Sequence, residues 1–474
     1  MIDGVVLSVL IAIALHDGLA DAMSAPPLAR GAAAAVWLGG YALLAAAVFL
    51  WVTLCTKQLD HTGRLRWVHR AELGVRFARL GIVAHHVVAI FILHVLELTR
   101  ETLGNPVLLD EAFVAAPPIV VLLATHAAWY PMDRRLRESV LMRQLDEGEP
   151  IVSMPTRGGY LIDQMRHRIL TVLAPVTIIS GWSEGMEHVA KRQAWSAGLE
   201  ATLQYAGVLL AIVIMPLLVR YIWATRRLGA GPLRARLDDM CQEQRIKCND
   251  LLVWRTHGGM INGALIGLIA PLRFVLLTDG LLDRLPTHQV EAVMAHELAH
   301  ARKNHLPWLL ASMLLVTSVS WVGFGWLAGV GLGAQSESVM GLLAVPPTVL
   351  ASIAWFGFVS RRFEWQADAC AAQHLAGWTA ATRSQRMTPP TIDPASAEAM
   401  AGALGSVARL NNVHLRRRSF RHGSIAVRQQ HLRAIVGVLA TRLPIDRTVN
   451  IIKGVTALGL LTTGMWIVLG LVTI

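Results

Sequence analysis

Charge is scarce in this chain. Only 16% of its 474 residues are Asp, Glu, Lys or Arg, against 54% hydrophobic residues and a mean hydropathy of +0.48. That balance excludes a soluble enzyme of this size and assigns most of the chain to a bilayer. Cysteine is scarce too: Cys55, Cys241, Cys248 and Cys370 have no paired metal-binding spacing, which argues against a thiolate zinc finger. Cys241 and Cys248 lie in a segment expected in the cytoplasm, where thiols stay reduced, so no structural disulfide is expected there. There is no glycine-rich phosphate loop and no interleaving of basic with aromatic residues. The net charge of +11 therefore calls for no nucleic acid, since basic residues beside membrane spans meet anionic lipid head groups. The first apolar run, from Gly4 to about Leu15, has no basic stretch before it and no small-residue cleavage site, and reads as a retained, weak first span. There is no internal repeat; Gly377 to Pro394, rich in Pro and Thr, is the best candidate for a flexible surface loop.

Eight longer apolar runs have the length needed to cross the hydrocarbon core, at roughly 33–55, 80–98, 107–130, 169–189, 202–223, 307–332, 338–360 and 452–473. The segments 56–79, 131–168, 224–306 and 361–450 are rich in arginine, and the positive-inside rule puts all four in the cytoplasm. Nine spans with a cytoplasmic N-terminus satisfy that assignment, with the loops near 20–32, 99–106, 190–201 and 333–337 outside, although Lys191 and Arg192 in the third of these depart from the rule. Polar residues within or beside the spans, namely His85, His86, His94, Asp110, Glu111, His126, Glu184 and Glu187, could line an ion path. They read more simply as packed or interfacial side chains that reach water near the span ends.

What the chain does have is His296-Glu297-Leu298-Ala299-His300 in a stretch that reads as helix, opened by Pro286-Thr287 and carrying apolar residues at Val290, Val293 and Met294. Residues at i and i+4 share a helix face, so both imidazoles can reach one zinc ion while Glu297 reaches the water beside it. A third ligand is needed, and Arg361-Arg362-Phe363-Glu364-Trp365-Gln366-Ala367-Asp368 offers one. Glu364 suits the third ligand of a His-His-Glu site, and Asp368, one turn later, suits a carboxylate that orients a ligand histidine through its free ring N–H. Without the paired histidines the same two acids would read as a solvated helix end facing the arginines before them.

Four blocks of the chain resemble the integral-membrane zinc metalloproteases that include the HtpX heat-shock proteases and the CAAX prenyl proteases: Phe274 to Leu282, the His296 helix with His305 following, Glu364 to Asp368, and Arg421 to Arg428. The likeness covers about 260–435. It implies one zinc per chain held by His296, His300 and Glu364, with Glu297 taking the proton of the attacking water and returning it to the leaving amine. It also implies that His422 and Arg428, at the places of a His-Pro and a later Arg, donate to the tetrahedral oxyanion, although Gly423 stands where the proline is usual. The strand at Phe274, Val275 and Leu276 is implied to be an exposed sheet edge that pairs with extended substrate, with Asn262 just before it.

The sequence thus predicts a mainly α-helical polytopic membrane bundle with a small cytoplasm-facing zincin-like α+β catalytic domain. The expected parts are an N-terminal membrane domain over 1–224, catalytic segments over 225–306 and 361–450 separated by a transmembrane hairpin over 307–360, and a final span over 451–474. The expected activity is zinc-dependent endoproteolysis of membrane proteins or peptides at the cytoplasmic face of the inner membrane, in quality control. Two alternatives stay open: an intramembrane-cleaving protease, and a non-catalytic zinc scaffold or transporter. Against the first, Asp279-Gly280 precedes the His helix rather than following it; against the second, a purely structural site would close its fourth position.

Overall fold

A computed structural model of the chain describes residues 3–19, 28–104, 106–146, 154–331, 337–384 and 388–468. The molecule is mostly helical with one small sheet, and it divides into two units, Met1–Trp223 and Ala224–Ile474. Among the described residues seven helices are long and apolar enough to cross a membrane.

Among the described residues the elements of the first unit are all helical: α1 (Gly4–Leu19), α2 (Arg30–Thr62), α3 (Arg66–Phe91), α4 (Val95–Leu103), α5 (Leu109–Asp146), α6 (Arg157–Gln164), α7 (Thr171–Gln193) and α8 (Ala197–Ile222). A π-type turn, Met165–Leu170, joins α6 and α7. Five of the seven spans lie here, together with the shorter apolar helix Gly4–His16. Their interior is apolar, with Val6, Ile82, Ile90 and Leu122 among its buried residues. Several of the polar residues singled out in these spans have local partners: the Tyr41 hydroxyl lies 3.1 Å from His86 Nδ1, and the Arg100 guanidinium donates to Asp110 (2.7 Å) and Glu111 (3.1 Å). Glu184 accepts from the Leu108 N–H at 2.9 Å, and Glu187 pairs with Lys191.

The second unit opens with β1 (Thr225–Arg227), α9 (Pro232–Glu243), β2 (Asp250–Trp254), β3 (Gly263–Ile266) and β4 (Phe274–Thr278). There follow α10 (Asp279–Arg284), α11 (Thr287–Arg302), α12 (His305–Trp326), α13 (Glu337–Leu375), α14 (Pro394–Leu410), α15 (Ile425–Ala434) and α16 (Pro444–Val468). The sheet order is β1-β2-β4-β3, with β2 and β4 parallel and the outer pairs antiparallel. One core joins Leu251, Val275 and Leu277 of the sheet to Met294 and Leu298 of α11, Ala371 of α13, Met400 of α14 and Leu432 of α15.

Two local features set the site's geometry. Asn304 adopts a left-handed conformation (φ 52°), which asparagine tolerates, and it breaks the chain between α11 and α12. In contrast α13 is unbroken, so Glu364 and Asp368 sit on the continuation of a membrane helix. The last predicted span corresponds to α16, and its final residues, 469–474, lie outside the described residues. The Gly377–Pro394 stretch is not a free loop where it is described: Trp378, Thr379 and Ile392 are buried, and the Ile392 N–H donates to the Val438 carbonyl at 2.9 Å. Residues 385–387 of that stretch lie outside the description.

Gly267 controls the connection from β3 to β4. Its φ is +104°, and a Cβ there would meet the Leu272 carbonyl oxygen at 2.1 Å. Gly267→Ala is expected to destabilise the protein by at least about 1 kcal/mol, read as a lowered unfolding temperature of the detergent-purified chain.

Candidate metal centre

The helix α11 buries Val290, Met294, Ala295 and Leu298 against the core and turns His296 and His300 toward Glu364 of α13. His296 Nε2 and His300 Nε2 lie 3.2 Å apart. Glu364 Oε2 lies 3.6 Å from the first and Oε1 3.8 Å from the second. One ligand atom from each of the three residues falls within 4.8 Å of the others. Two nitrogens bound tetrahedrally at zinc distances stand about 3.4 Å apart, so the spacing of this donor set fits such an ion.

The outer atoms of the set are held. Asp368 Oδ1 meets His296 Nδ1 at 2.9 Å, one turn beyond Glu364 on the same helix. Arg428, buried on α15, grips Asp368 through both Nε (2.7 Å) and Nη2 (2.6 Å) and reaches Glu364 Oε2 with Nη1 at 3.1 Å. Burial opposes the guanidinium charge, yet Asp368 and Glu364 hold it above the ordinary arginine range. Burial likewise disfavours the His296 cation, but the Asp368 hydrogen bond and the charges of Asp368 and Glu364 together outweigh it and raise that histidine's pKa. His300, with burial and the neighbouring His296 acting together, is pushed well below the usual range, and a neutral imidazole is what a metal takes.

Glu297 stands apart from the ligands. Its Oε2 accepts the Leu265 N–H of β3 at 2.9 Å, and burial raises its carboxyl above the usual glutamate range. The close approach of strand and helix depends on Gly263, where a Cβ would lie 2.8 Å from Val293 Cγ1 and 3.4 Å from Glu297 Cγ.

The residues implied by the family likeness divide. His422 comes to the site, with Nδ1 2.9 Å from Glu364 Oε1 and nearly half of its side chain exposed. Gly423 after it has φ +72°, a conformation closed to proline, which accounts for the departure from the usual His-Pro. Arg428 is corrected: three of its donors are directed to Asp368 and Glu364, so it braces carboxylates rather than facing an oxyanion. Phe274, Val275 and Leu276 are also corrected. They lie on β4, which is paired on both sides by β2 and β3 and fully buried, as its unbroken apolar run suits. The sheet edge beside the site is β3, one strand earlier in the chain, and Asn262, exposed, precedes it directly. Sequence reading missed Gln366 and Asp446, which join the site through His305; Gln366 lies between the two acids that were singled out, but nothing in the spacing of Asp446 points to them.

Fold and site together are those expected of a membrane metalloprotease. Residues 233–390 match the sequence model of Peptidase family M48. The chain is 25% identical over 228 residues to a protease HtpX homolog of Aeropyrum pernix, a match covering 44% of this chain and 71% of that protein. The crystal structure of S. mikatae Ste24p superposes with a TM-score of 0.47 and 14% identity, over 86% of this chain and 100% of that one. The family and relative matches agree with the likeness to the HtpX and CAAX prenyl proteases carried by the four sequence blocks.

Asp368→Ala is expected to weaken zinc affinity about 10–100-fold, because His296 then loses the partner that fixes its ring. Competition with a chromophoric chelator measures it.

Proposed function

We propose that the chain is a zinc endopeptidase in which His296, His300 and Glu364 hold the metal and Glu297 is the general base. The observation that carries this reading is the Nε2–Nε2–carboxylate set with Glu297 next in sequence to its first ligand, aimed past it and tethered to an edge strand. When bound, zinc supplies a Lewis acid that polarises the peptide carbonyl and lowers the pKa of water to about 7. Glu297 takes the proton of the attacking water and passes it to the departing amine, and a carboxyl held above the usual range by burial is suited to both transfers. His422, partly open to solvent beside Glu364, is the side chain available to donate to the carbonyl oxygen as charge builds on it. Asp368 and Arg428 position the ligands.

The free side of β3, Gly263–Ile266, offers backbone groups to an extended peptide, which would align the scissile bond by main-chain hydrogen bonds with little side-chain preference. Asn262 at its start takes the substrate-binding role proposed for it. Substrates of this kind are unfolded or damaged membrane proteins and peptides, in keeping with a quality-control role. The arginine-rich segments 56–79, 131–168, 224–306 and 361–450 favour a catalytic face in the cytoplasm of an inner-membrane protein.

Glu297→Gln separates metal binding from chemistry. The purified variant is expected to keep about one zinc per chain while losing at least about 100-fold in casein cleavage. Unchanged cleavage would remove Glu297 from the reaction. In the unaltered protein, chelation is expected to abolish cleavage and added zinc to restore it.

A further inference from the structure

His300 is the proposed ligand whose second nitrogen meets no carboxylate. His296 Nδ1 faces Asp368, whereas His300 Nδ1 lies 2.8 Å from Nδ1 of His305, the first residue of α12. Two neutral imidazoles that meet in this way form a hydrogen bond only when one nitrogen carries the proton and the other a lone pair. If the proton belonged to His305, His300 would carry its own on Nε2, the atom that faces His296 and Glu364 and must be bare to bind a metal.

The choice is made further out. His305 Nε2 lies 2.8 Å from Gln366 Oε1, and Gln366 Nε2 donates to Asp446 Oδ1 on α16. A carboxylate only accepts, so the amide must turn its NH2 to Asp446 and its oxygen to His305. Asp446 is held in place by Lys303 Nζ at 3.0 Å. His305 therefore carries its proton on Nε2, presents a lone pair at Nδ1 and accepts the Nδ1 proton of His300, which leaves His300 Nε2 bare. The relay has little room to rearrange, because His305 and Gln366 are 3% and 1% exposed. The Phe363 ring also lies flat on His305, with centroids 4.5 Å apart and an interplanar angle of 6°.

We infer that Asp446, Gln366 and His305 form a hydrogen-bond relay that fixes the tautomer of His300, so that a side chain of the C-terminal helix sets the affinity of the site for its metal. The inference rests on the metal-binding reading above and extends it. All three are positioning residues, since their contacts run to a ligand and to one another rather than to reacting atoms.

The test is zinc affinity of the detergent-purified full chain by chelator competition, with the visible spectrum of the Co2+-substituted protein as a second readout of coordination. His305→Phe keeps the ring on Phe363 but has no acceptor, and is expected to bind zinc about 10–100-fold more weakly and to shift the cobalt bands. His305→Asn places Oδ1 where Nδ1 stood, and is expected to restore affinity to within about threefold. Asp446→Asn lets the Gln366 amide turn over and is expected to weaken zinc by about tenfold. That substitution is isosteric and partly exposed, so it carries the test if His305→Phe does not fold, and thermal melting of the metal-free proteins shows which do. An unaltered protein that takes up no zinc would overturn the metal-binding reading itself. Zinc bound equally by the unaltered protein and all folded variants, or Asn binding no better than Phe, would overturn the relay alone.

Discussion

Everything at this site depends on one arginine shared by two buried acids. Arg428 contacts Asp368 with two nitrogens and Glu364 with a third, and all three side chains are nearly inaccessible to solvent. Without it, two carboxylates one helical turn apart would repel each other in a low-dielectric interior, and an uncompensated buried charge costs roughly 3–5 kcal/mol. With it, Asp368 stays charged to orient His296 and Glu364 stays charged to serve as a ligand. Glu297, Glu364 and Asp368 against one guanidinium still leave two negative charges if the histidines are neutral. A divalent cation offsets that remainder, so the charge balance and the donor geometry ask for the same species.

The parts legible in the sequence were those fixed by local periodicity. Two imidazoles four apart share a helix face whatever the tertiary fold, and the carboxylates at Glu364 and Asp368 obey the same rule on α13. Long apolar runs likewise mark membrane helices because the bilayer leaves the backbone few other choices. What the sequence left hidden depended on long-range pairing. The apolar run Phe274 to Thr278 marks a buried strand, but which strands flank it, β2 and β3, is settled only by the fold. The edge beside the site, Gly263–Ile266, opens with a glycine and is the weaker strand signal, yet it is the absence of a side chain at Gly263 that lets the strand approach Glu297.

Arg428 and Gly423 show the same division. A likeness in the sequence located both, but not what they do. The guanidinium is drawn to the acids because a buried cation must be paired, a demand invisible until α15 and α13 are packed together. Gly423 looks like the loss of a proline until its backbone is seen at φ +72°, inside a tight turn closed by mutual hydrogen bonds between Ser419 and Gly423. There a proline would lack both the dihedral angle and the N–H.

The continuity of α13 bears on where such chemistry can occur. Its 39 residues span about 58 Å, roughly twice the hydrocarbon thickness of about 30 Å, so the helix must project from the bilayer. Arg361 and Arg362 precede Glu364 by less than a turn, and guanidinium groups settle at the head-group level. If those arginines lie at the head groups, a site one turn beyond them falls near the interface, with His422 nearly half exposed while His296 and Glu364 are buried. This is a poor position for cutting a substrate at the bilayer midplane. It accords with the proposed cleavage of an extended segment outside the hydrocarbon core.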